Sequence, residues 1–364
     1  MLESFANFLQ NTGLYALISS GGIDAVKTII MIAIACVLLY LAIVKKFEPL
    51  LLLPIAFGML LSNLPMIKDS SAIMMHTEFF TNPEYMTDGK YINVGYICQH
   101  GGLLDLLYLG VKLGIYPPLI FVGIGCMTDF GPLIANPKSI LLGAAAQFGV
   151  FFTFVGALVL SALVPSINFG IKEAASIGII GGADGPTAIY VTKSLAPALL
   201  PAIAVAAYSY MALIPVIQPP IMKLMTRKKD RMIVMEQLRP VSKTEKILFP
   251  IIVTIIVALI IPDAVSLVGC LMLGNLMKES GVVERLTKMA QNELMNIITL
   301  FLGVTVGATA TASSFLSAQT IGIIVLGLIA FCFSTVGGLF LGDIMCWVTK
   351  GKVNPLIGSA GVSA

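Results

Sequence analysis

The sequence has little charge and few residues suited to redox or metal chemistry. Only 11% of its 364 residues are charged and 57% are hydrophobic, whereas a soluble domain has about 25% charged residues. Two histidines are too few for a metal site, and the six cysteines show no CxxC spacing. Neither a GxGxxG nor a GK[ST] fingerprint occurs, and a net charge of +3 gives no argument for nucleic-acid binding. A nucleotide-dependent soluble enzyme is therefore excluded.

What the chain has instead is long apolar runs, with a mean hydropathy of +0.96. A helix that crosses a hydrocarbon core of ~30 Å needs about 20 apolar residues. Apolar spans lie near 25–44, 49–67, 116–134, 139–165, 197–226, 247–262, 264–278, 294–312 and 320–345. Shorter or Gly/Pro-broken segments lie at 102–114, 166–196 and 350–364. The pattern predicts an all-α polytopic membrane protein.

The loop 227–246 sets the orientation of these spans. It holds seven basic residues against three acidic ones, and such loops face the cytoplasm. Lysines 45, 46, 138, 350 and 352 share that side if 166–196 dips into the membrane and returns. The charge pattern therefore predicts a re-entrant segment there and places the polar insert 68–100 outside.

The two halves of the chain resemble each other. FVGIGCMTDFGPLIANPKSILLGAAAQFGVFFTFVGAL (121–158) aligns with FLGVTVGATATASSFLSAQTIGIIVLGLIAFCFSTVGGL (301–339), and IGGADGPT (180–187) aligns with IGSAGVSA (357–364). The first copy enters its span from outside and the second from inside, so the pattern predicts an inverted-topology repeat with re-entrant or broken helices and elevator-type transporter architecture. Chance similarity between Gly/Ala-rich spans remains an alternative.

The repeat predicts four regions. They are an N-terminal segment with the first transmembrane helix (1–46), repeat 1 (47–226, with the insert 68–100), a cytoplasmic basic loop (227–246) and repeat 2 (247–364). In repeat 1 a long span, 197–226, follows the GGADGP break. Repeat 2 stops where its counterpart would begin, so we expect a final helix to be missing from it.

Asp184 is a carboxylate inside an apolar run, with Gly181, Gly182, Gly185 and Pro186 around it. These residues interrupt a helix and free backbone carbonyls, which together with a carboxylate form a hard-oxygen site for an alkali cation. A charged aspartate at membrane depth costs at least about 2.5 kcal/mol, so it must be paired, protonated or cation-bound. The alternative is a structural cap on the helix that starts near Pro186.

The second copy offers neutral oxygens in the matching stretch NPLIGSAGVS: Asn354, Ser359 and Ser363. Facing Asp184, they would give a site with one net negative charge, suited to a monovalent cation. Tyr210 lies in the span 197–226, where interfacial or core packing is an equal alternative. Asp129 lies near the cytoplasmic end of its span and is expected to be a solvated cap, and 282–296 is expected to be an interfacial amphipathic helix.

Four stretches closely resemble the β subunit of biotin-dependent sodium-pumping decarboxylases: GIIGGADGPTAIY, AVAAYSYMALIPVIQPPIM, EQLRPVSKTEKILFP and NPLIGSAGVSA. This family serves oxaloacetate, methylmalonyl-CoA, glutaconyl-CoA and malonate decarboxylases. The resemblance implies a multi-pass subunit of the bacterial inner membrane that decarboxylates carboxybiotin, consumes a proton and exports Na⁺. Biotin would be carried on a partner, not covalently on this chain. The implied partners are a carboxyltransferase α subunit, a biotin carrier protein, a small membrane γ/δ subunit and, in a homo-oligomer, further copies of the chain.

By motif, the resemblance implies Na⁺ binding by Asp184, Asn354, Ser363 and Tyr210, and a catalytic role for Asp184, Tyr210 and Ser363. Gly358 would permit a close turn in the second break. The polar insert looks longer than expected for the oxaloacetate branch, which slightly favours an acyl-CoA member. An autonomous Na⁺-coupled symporter or exchanger remains the alternative function, and the basic loop serves either topology or partner docking.

Overall fold

The computed structural model describes residues 12–19, 21–65, 75–80, 82–88, 91–235 and 238–361. The chain forms two compact units: one contains Met1–Leu113 and Thr299–Ile321, and the other contains Gly114–Ile298 and Gly322–Ala364. Each unit therefore combines segments from both predicted repeats.

The first unit is helical, with a small β-hairpin in the polar insert 68–100. Its helices are α1 (Gly13–Ser19), α2 (Gly22–Ile43), α3 (Pro49–Asn63), α4 (Val94–His100), α5 (Leu103–Lys112), most of α16 (Met295–Ala308) and α17 (Ala312–Phe315). The hairpin pairs β1 (Met86–Thr87) with β2 (Tyr91–Ile92) in antiparallel register.

A glycine contact joins α3 to α16. A Cβ on Gly58 would overlap the carbonyl oxygen of Val304, and a Cβ on Gly307 would overlap that of Ile55. Only glycine permits two helix backbones to approach this closely. At the end of α3, the buried amide of Asn63 donates to the Ala310 carbonyl at 2.8 Å, just beyond α16. The two helices therefore pack closely along their length.

The described part of the polar insert 68–100 is fixed to α5 by a buried carboxylate. Asp105 is fully buried and accepts bonds from the backbone N–H groups of His76 (2.8 Å) and Gly102 (2.9 Å). Its other contact is the Nδ1 of His76 at 2.7 Å, and the imidazole stacks on Phe79 with ring centroids 4.6 Å apart. His76 thus anchors the described part of the insert.

The second unit holds the remaining helices. They are α6 (Tyr116–Met127), α7 (Gly131–Ala135), α8 (Ile140–Ala146), α9 (Phe148–Leu163), α10 (Ile171–Gly178), α11 (Gly185–Leu195), α12 (Leu200–Met225), α13 (Lys243–Ile260), α14 (Val265–Ser280), α15 (Glu284–Met289) and α18 (Ala318–Val348), whose first turn belongs to the first unit. A π-helical turn, Ala290–Leu294, joins α15 to α16.

Helices α6 and α14 form a contact with the same design as α3 and α16. A Cβ on Gly274 would overlap the Val122 carbonyl oxygen, and a Cβ on Gly125 would overlap that of Leu271. In both pairs the contacting residues of each helix are three apart in sequence. The buried amide of Asn275 donates to the Thr128 carbonyl just beyond α6, at 3.1 Å. The two units thus contain one matched helix pair each.

The prediction of an all-α membrane protein is confirmed by the apolar helices. Among the described residues, three stretches are long and apolar enough to cross a bilayer unaided: Gly22–Ile43, Pro137–Leu163 and Ala318–Val348. The predicted span 197–226 is present as α12, which bends by 64° between Met211 and Val216.

Other predicted spans are shorter or interrupted in the structure. The span 116–134 stops at Met127 and resumes as α7, because Asp129 accepts the Gly131 N–H at 2.9 Å and caps a new helix. The span 294–312 ends at Ala308. The predicted break in 166–196 is present between α10 and α11.

Candidate functional site

The first break runs from Ile179 to Asp184. Helix α10 ends at Gly178, a 3₁₀ turn covers Ile179–Gly182, and Ala183 adopts the left-handed conformation (φ 54°). Asp184 is extended and caps α11. Pro186 lies in the first turn of α11, where a backbone N–H would have no intrahelical acceptor, so proline costs the helix no hydrogen bond. It therefore starts a helix, whereas the sequence suggested that it interrupts one.

The Asp184 carboxylate is partly buried and bonded within its own segment. One oxygen accepts the Thr187 backbone N–H at 3.2 Å, and the other accepts the Thr187 hydroxyl at 2.6 Å. The capping alternative raised by the sequence is thus present in the structure. A capping carboxylate keeps further lone pairs, so this geometry is compatible with a bound cation.

Two glycines of the first break have no room for a side chain. A Cβ on Gly181 would lie 2.8 Å from the backbone carbon of Gly149 in α9, and one on Gly185 would overlap the Tyr208 ring. Ser334 of α18 donates a short hydrogen bond to the Gly181 carbonyl. Gly182 differs, because the nearest atom to its Cβ would be 3.8 Å away. Contacts from α9, α12 and α18 thus fix the break.

The two tyrosines of α12 point to different partners. Tyr208 packs on Gly185 and its hydroxyl is buried without a hydrogen-bond partner among the described residues. Tyr210, chosen from the sequence, donates its hydroxyl to the Ile324 carbonyl of α18. Two positions along a helix differ by about 200°, so only one tyrosine of a YSY motif can face the Asp184 break. Sequence reasoning could find the motif, but could not tell which tyrosine faces it.

The second break is the 3₁₀ segment Pro355–Gly361. Gly358 packs directly on Gly338 of α18, where a Cβ on either would overlap the carbonyl oxygen of the other. Gly358 therefore permits a close approach to α18, and its backbone does not adopt a positive φ. Gln218 of α12 donates to the Ser359 carbonyl at 3.1 Å. Ser363 lies outside the described residues.

Asn354 precedes this segment and is bonded at both ends of its amide. Its nitrogen donates to the carbonyls of Arg231 (3.1 Å) and Ile233 (3.0 Å) in the basic loop 227–246. Its oxygen accepts the Leu356 N–H at 3.0 Å. The second break is therefore fastened to the loop as well as to α12 and α18.

Both breaks lie along one face of α18. Ser334 contacts the first break and Gly338 the second, and residues four apart share a helix face with an axial separation of about 6 Å. The structure thus brings the two predicted polar segments to neighbouring turns of one helix.

Among the described residues, the side-chain oxygens at the first break include the Asp184 carboxylate and the hydroxyls of Thr187, Tyr208 and Ser334. No group of three or more His, Cys, Asp or Glu side chains suitable for a metal occurs in the described ranges. One negative charge among neutral oxygens fits a monovalent hard cation better than a soft metal.

The end of the basic loop 227–246 carries a network of charged side chains. Arg239 pairs with Glu245 at 2.8 Å and lowers the pKa of that carboxyl to about 2. Lys246 contacts Asp129 at 3.2 Å and Glu279 at 3.8 Å. Asp129 is therefore a cap with a lysine partner, in agreement with the solvated cap expected from the sequence.

Comparison with known proteins identifies the chain. A family model described as the Na⁺-transporting oxaloacetate decarboxylase beta subunit matches residues 27–364. The chain belongs to this family. It is thus the membrane subunit of a Na⁺-transporting decarboxylase, and the resemblance found in the sequence is confirmed.

Similar relatives act on different substrates. The chain is 55% identical over its full length to the methylmalonyl-CoA decarboxylase subunit beta of Propionigenium modestum, of which it covers 88%. It is 53% identical to the glutaconyl-CoA decarboxylase subunit beta of Acidaminococcus fermentans, with 92% of this chain and 80% of the relative aligned. It is 50% identical to the oxaloacetate decarboxylase beta chain of Haemophilus ducreyi, with 92% and 84% aligned.

At least one relative differs from this chain in length within the aligned region. The alignment with the probable oxaloacetate decarboxylase beta chain of Vibrio cholerae extends over 392 positions and includes the whole chain. That relative therefore carries residues that this chain lacks.

Proposed function

We propose that the chain decarboxylates carboxybiotin held by a partner subunit and couples this reaction to Na⁺ export. The reaction breaks the N–CO₂ bond, releases CO₂ and leaves a ring nitrogen that takes up a proton. The observation that carries the proposal is the Asp184 carboxylate, held in a break between two helices and surrounded by neutral oxygens.

Asp184 is the residue at which Na⁺ and the proton alternate. Burial favours a neutral carboxyl group and a nearby cation favours the carboxylate, so exchange of one for the other keeps the site neutral. Tyr208 adds a hydroxyl that has no hydrogen-bond partner among the described residues, and Thr187 adds a hydroxyl that is bonded to the carboxylate. Tyr210 acts through its bond to α18 in this conformation.

The second break completes the ion path with neutral oxygens, as proposed for Asn354 and Ser363. Support comes from its position, since it lies about one turn from the first break along α18. Gly358 allows this approach. No further acid is needed, because one carboxylate balances one monovalent cation.

We further propose an inverted repeat that works as an elevator-type transporter. Its support is the matched geometry of α3 with α16 and of α6 with α14, each a reciprocal glycine-to-carbonyl contact closed by a buried asparagine. Each pair joins a helix from the first half to one from the second. Duplication of an ancestral helix pair explains this better than chance similarity.

The proposed partners are a carboxyltransferase α subunit, a biotin carrier protein and a small membrane γ/δ subunit, with the chain in a homo-oligomer. Biotin stays on the carrier. The carboxyltransferase selects the carboxylic acid or acyl-CoA, which explains why relatives with different substrates share half or more of their residues with this chain.

The test is ²²Na⁺ uptake into inverted vesicles that contain the whole complex, driven by the decarboxylase substrate. We expect uptake that avidin blocks and that Asp184→Asn abolishes. Asp129→Asn is the matched control, because it makes the same change in an acid that pairs with Lys246 outside the breaks. Uptake that persists in avidin would contradict the biotin-coupled pump, and normal uptake by Asp184→Asn would contradict the site.

A further inference from the structure

Asn354 connects two parts of the second unit that have different environments. On one side is the second break, Pro355–Gly361, packed against α12 and α18. On the other is the stretch 227–235 of the basic loop, where Arg227, Lys228 and Lys229 are exposed. The bonds from the Asn354 nitrogen to the carbonyls of Arg231 and Ile233 join the two directly.

The nitrogen and the oxygen of the Asn354 side-chain amide have different partners. Its oxygen accepts the Leu356 N–H and keeps one lone pair. This oxygen is the atom that the proposed ion path uses. Its nitrogen has two hydrogens, and both are donated to the loop. The nitrogen therefore has a role separate from ion binding. Aspartate would retain the oxygen and remove both donors, but it would also add a negative charge, so the cleavage rate in KCl without Na⁺ is the measurement that reports the lost donors.

The break is also held tightly on its opposite side. Gly358 lies against Gly338, and Pro355 lies against Gly342, where a Cβ on either α18 glycine would overlap a carbonyl oxygen of the break. Backbone segments in direct contact have little room to move relative to each other. A displacement of the loop that is passed on through Asn354 must therefore shift the break relative to α18.

We propose that Asn354 is a positioning residue that couples the cytoplasmic loop to the second break, so that ion occupancy and loop position change together. This inference rests on the proposed function for the identity of the ion. The link itself is a property of the chain and can be measured without turnover.

The experiment is limited trypsin digestion of the detergent-solubilised full complex, with cleavage at Arg227, Lys228 and Lys229 followed by mass spectrometry in NaCl and in KCl. In the wild type we expect Na⁺ to slow cleavage, by about tenfold at roughly ten times its Kd. Asn354→Asp should speed cleavage in KCl about thirtyfold, because two hydrogen bonds of about 1 kcal/mol each are lost, and should remove the Na⁺ effect. A purely structural role would not change the response to Na⁺.

The control is Asn292→Asp, because the Asn292 amide also donates to a backbone carbonyl, that of Lys288 at 2.9 Å, but not in the loop. It should behave as the wild type. If Asn354→Asp yields no intact complex, Asn354→Ser keeps one donor and should give intermediate cleavage.

Cleavage of Asn354→Asp at the wild-type rate, or with the wild-type Na⁺ effect retained, would overturn the link. Absence of a Na⁺ effect in wild type that still pumps ²²Na⁺ would overturn the coupling alone. Failure of the proposed function would show separately, as uptake that avidin does not block.

Discussion

The two breaks are held in place in similar ways but are chemically different. Each packs a glycine against a neighbouring backbone and touches the same face of α18. The first contains the only carboxylate of the pair and bonds it to its own helix through Thr187. The second is neutral and is bonded to α12 and to the basic loop. The carboxylate thus lies in one break, and the hydrogen bonds to the loop are made by the residue that precedes the other.

Under the proposed duplication, the two breaks have different roles. A second acid would raise the charge of the proposed site and favour divalent cations, whereas one acid balances one monovalent cation. The neutral break has contacts with the basic loop that the first break lacks among the described residues.

The largest effect is expected for Gly358→Ala in the second break. The new methyl group would overlap the Gly338 carbonyl, and neither backbone has room to move, so we expect a loss of about 3 kcal/mol or more in the free energy of unfolding. Thermal unfolding of the purified complex measures this. A wild-type free energy of unfolding would show that the second break is loosely packed, and that the two breaks are not held in place in similar ways.

A smaller effect is expected in the first break, where adjacent glycines provide a matched pair. Gly181→Ala would place its methyl carbon 2.8 Å from Gly149 and should lower the free energy of unfolding by about 1–3 kcal/mol. Gly182→Ala has room and should change it by less than about 0.5 kcal/mol. Equal stabilities in the same unfolding assay would contradict the packing described for this break.

The smallest effect is expected for Thr187→Val, which removes the hydroxyl bond to Asp184 but keeps the backbone cap. We expect the half-saturating Na⁺ concentration for decarboxylation to rise about fivefold, the equivalent of one hydrogen bond of about 1 kcal/mol. Thr187→Ser should restore the wild-type value. A serine variant as impaired as the valine variant would assign the effect to the methyl group and not to the hydroxyl.

Sequence reasoning found the breaks because glycine, proline and a lone acid are conspicuous in an apolar chain. The repeat that it predicts stays a prediction, supported by the matched glycine contacts of the two helix pairs. The partner of Tyr208 and the bonds of Asn354 could not be predicted, because they depend on how α11, α12 and the loop pack. The interruption of the span 116–134 falls at Asp129, in the Gly/Pro-flanked stretch where the sequence predicted a cap, but hydropathy alone runs through it because the break covers only a few residues.

Each of the two matched helix pairs joins a helix from the first half of the chain to one from the second half, so neither pair can form until late in synthesis. Helix α3 leaves the ribosome roughly 250 residues before α16, so at 5–20 residues per second it waits about 12–50 s for its partner. Helix α6 waits similarly for α14. During this interval Asn63 has no Ala310 carbonyl to bond. We therefore expect half-synthesised chains to be the form most exposed to membrane proteases.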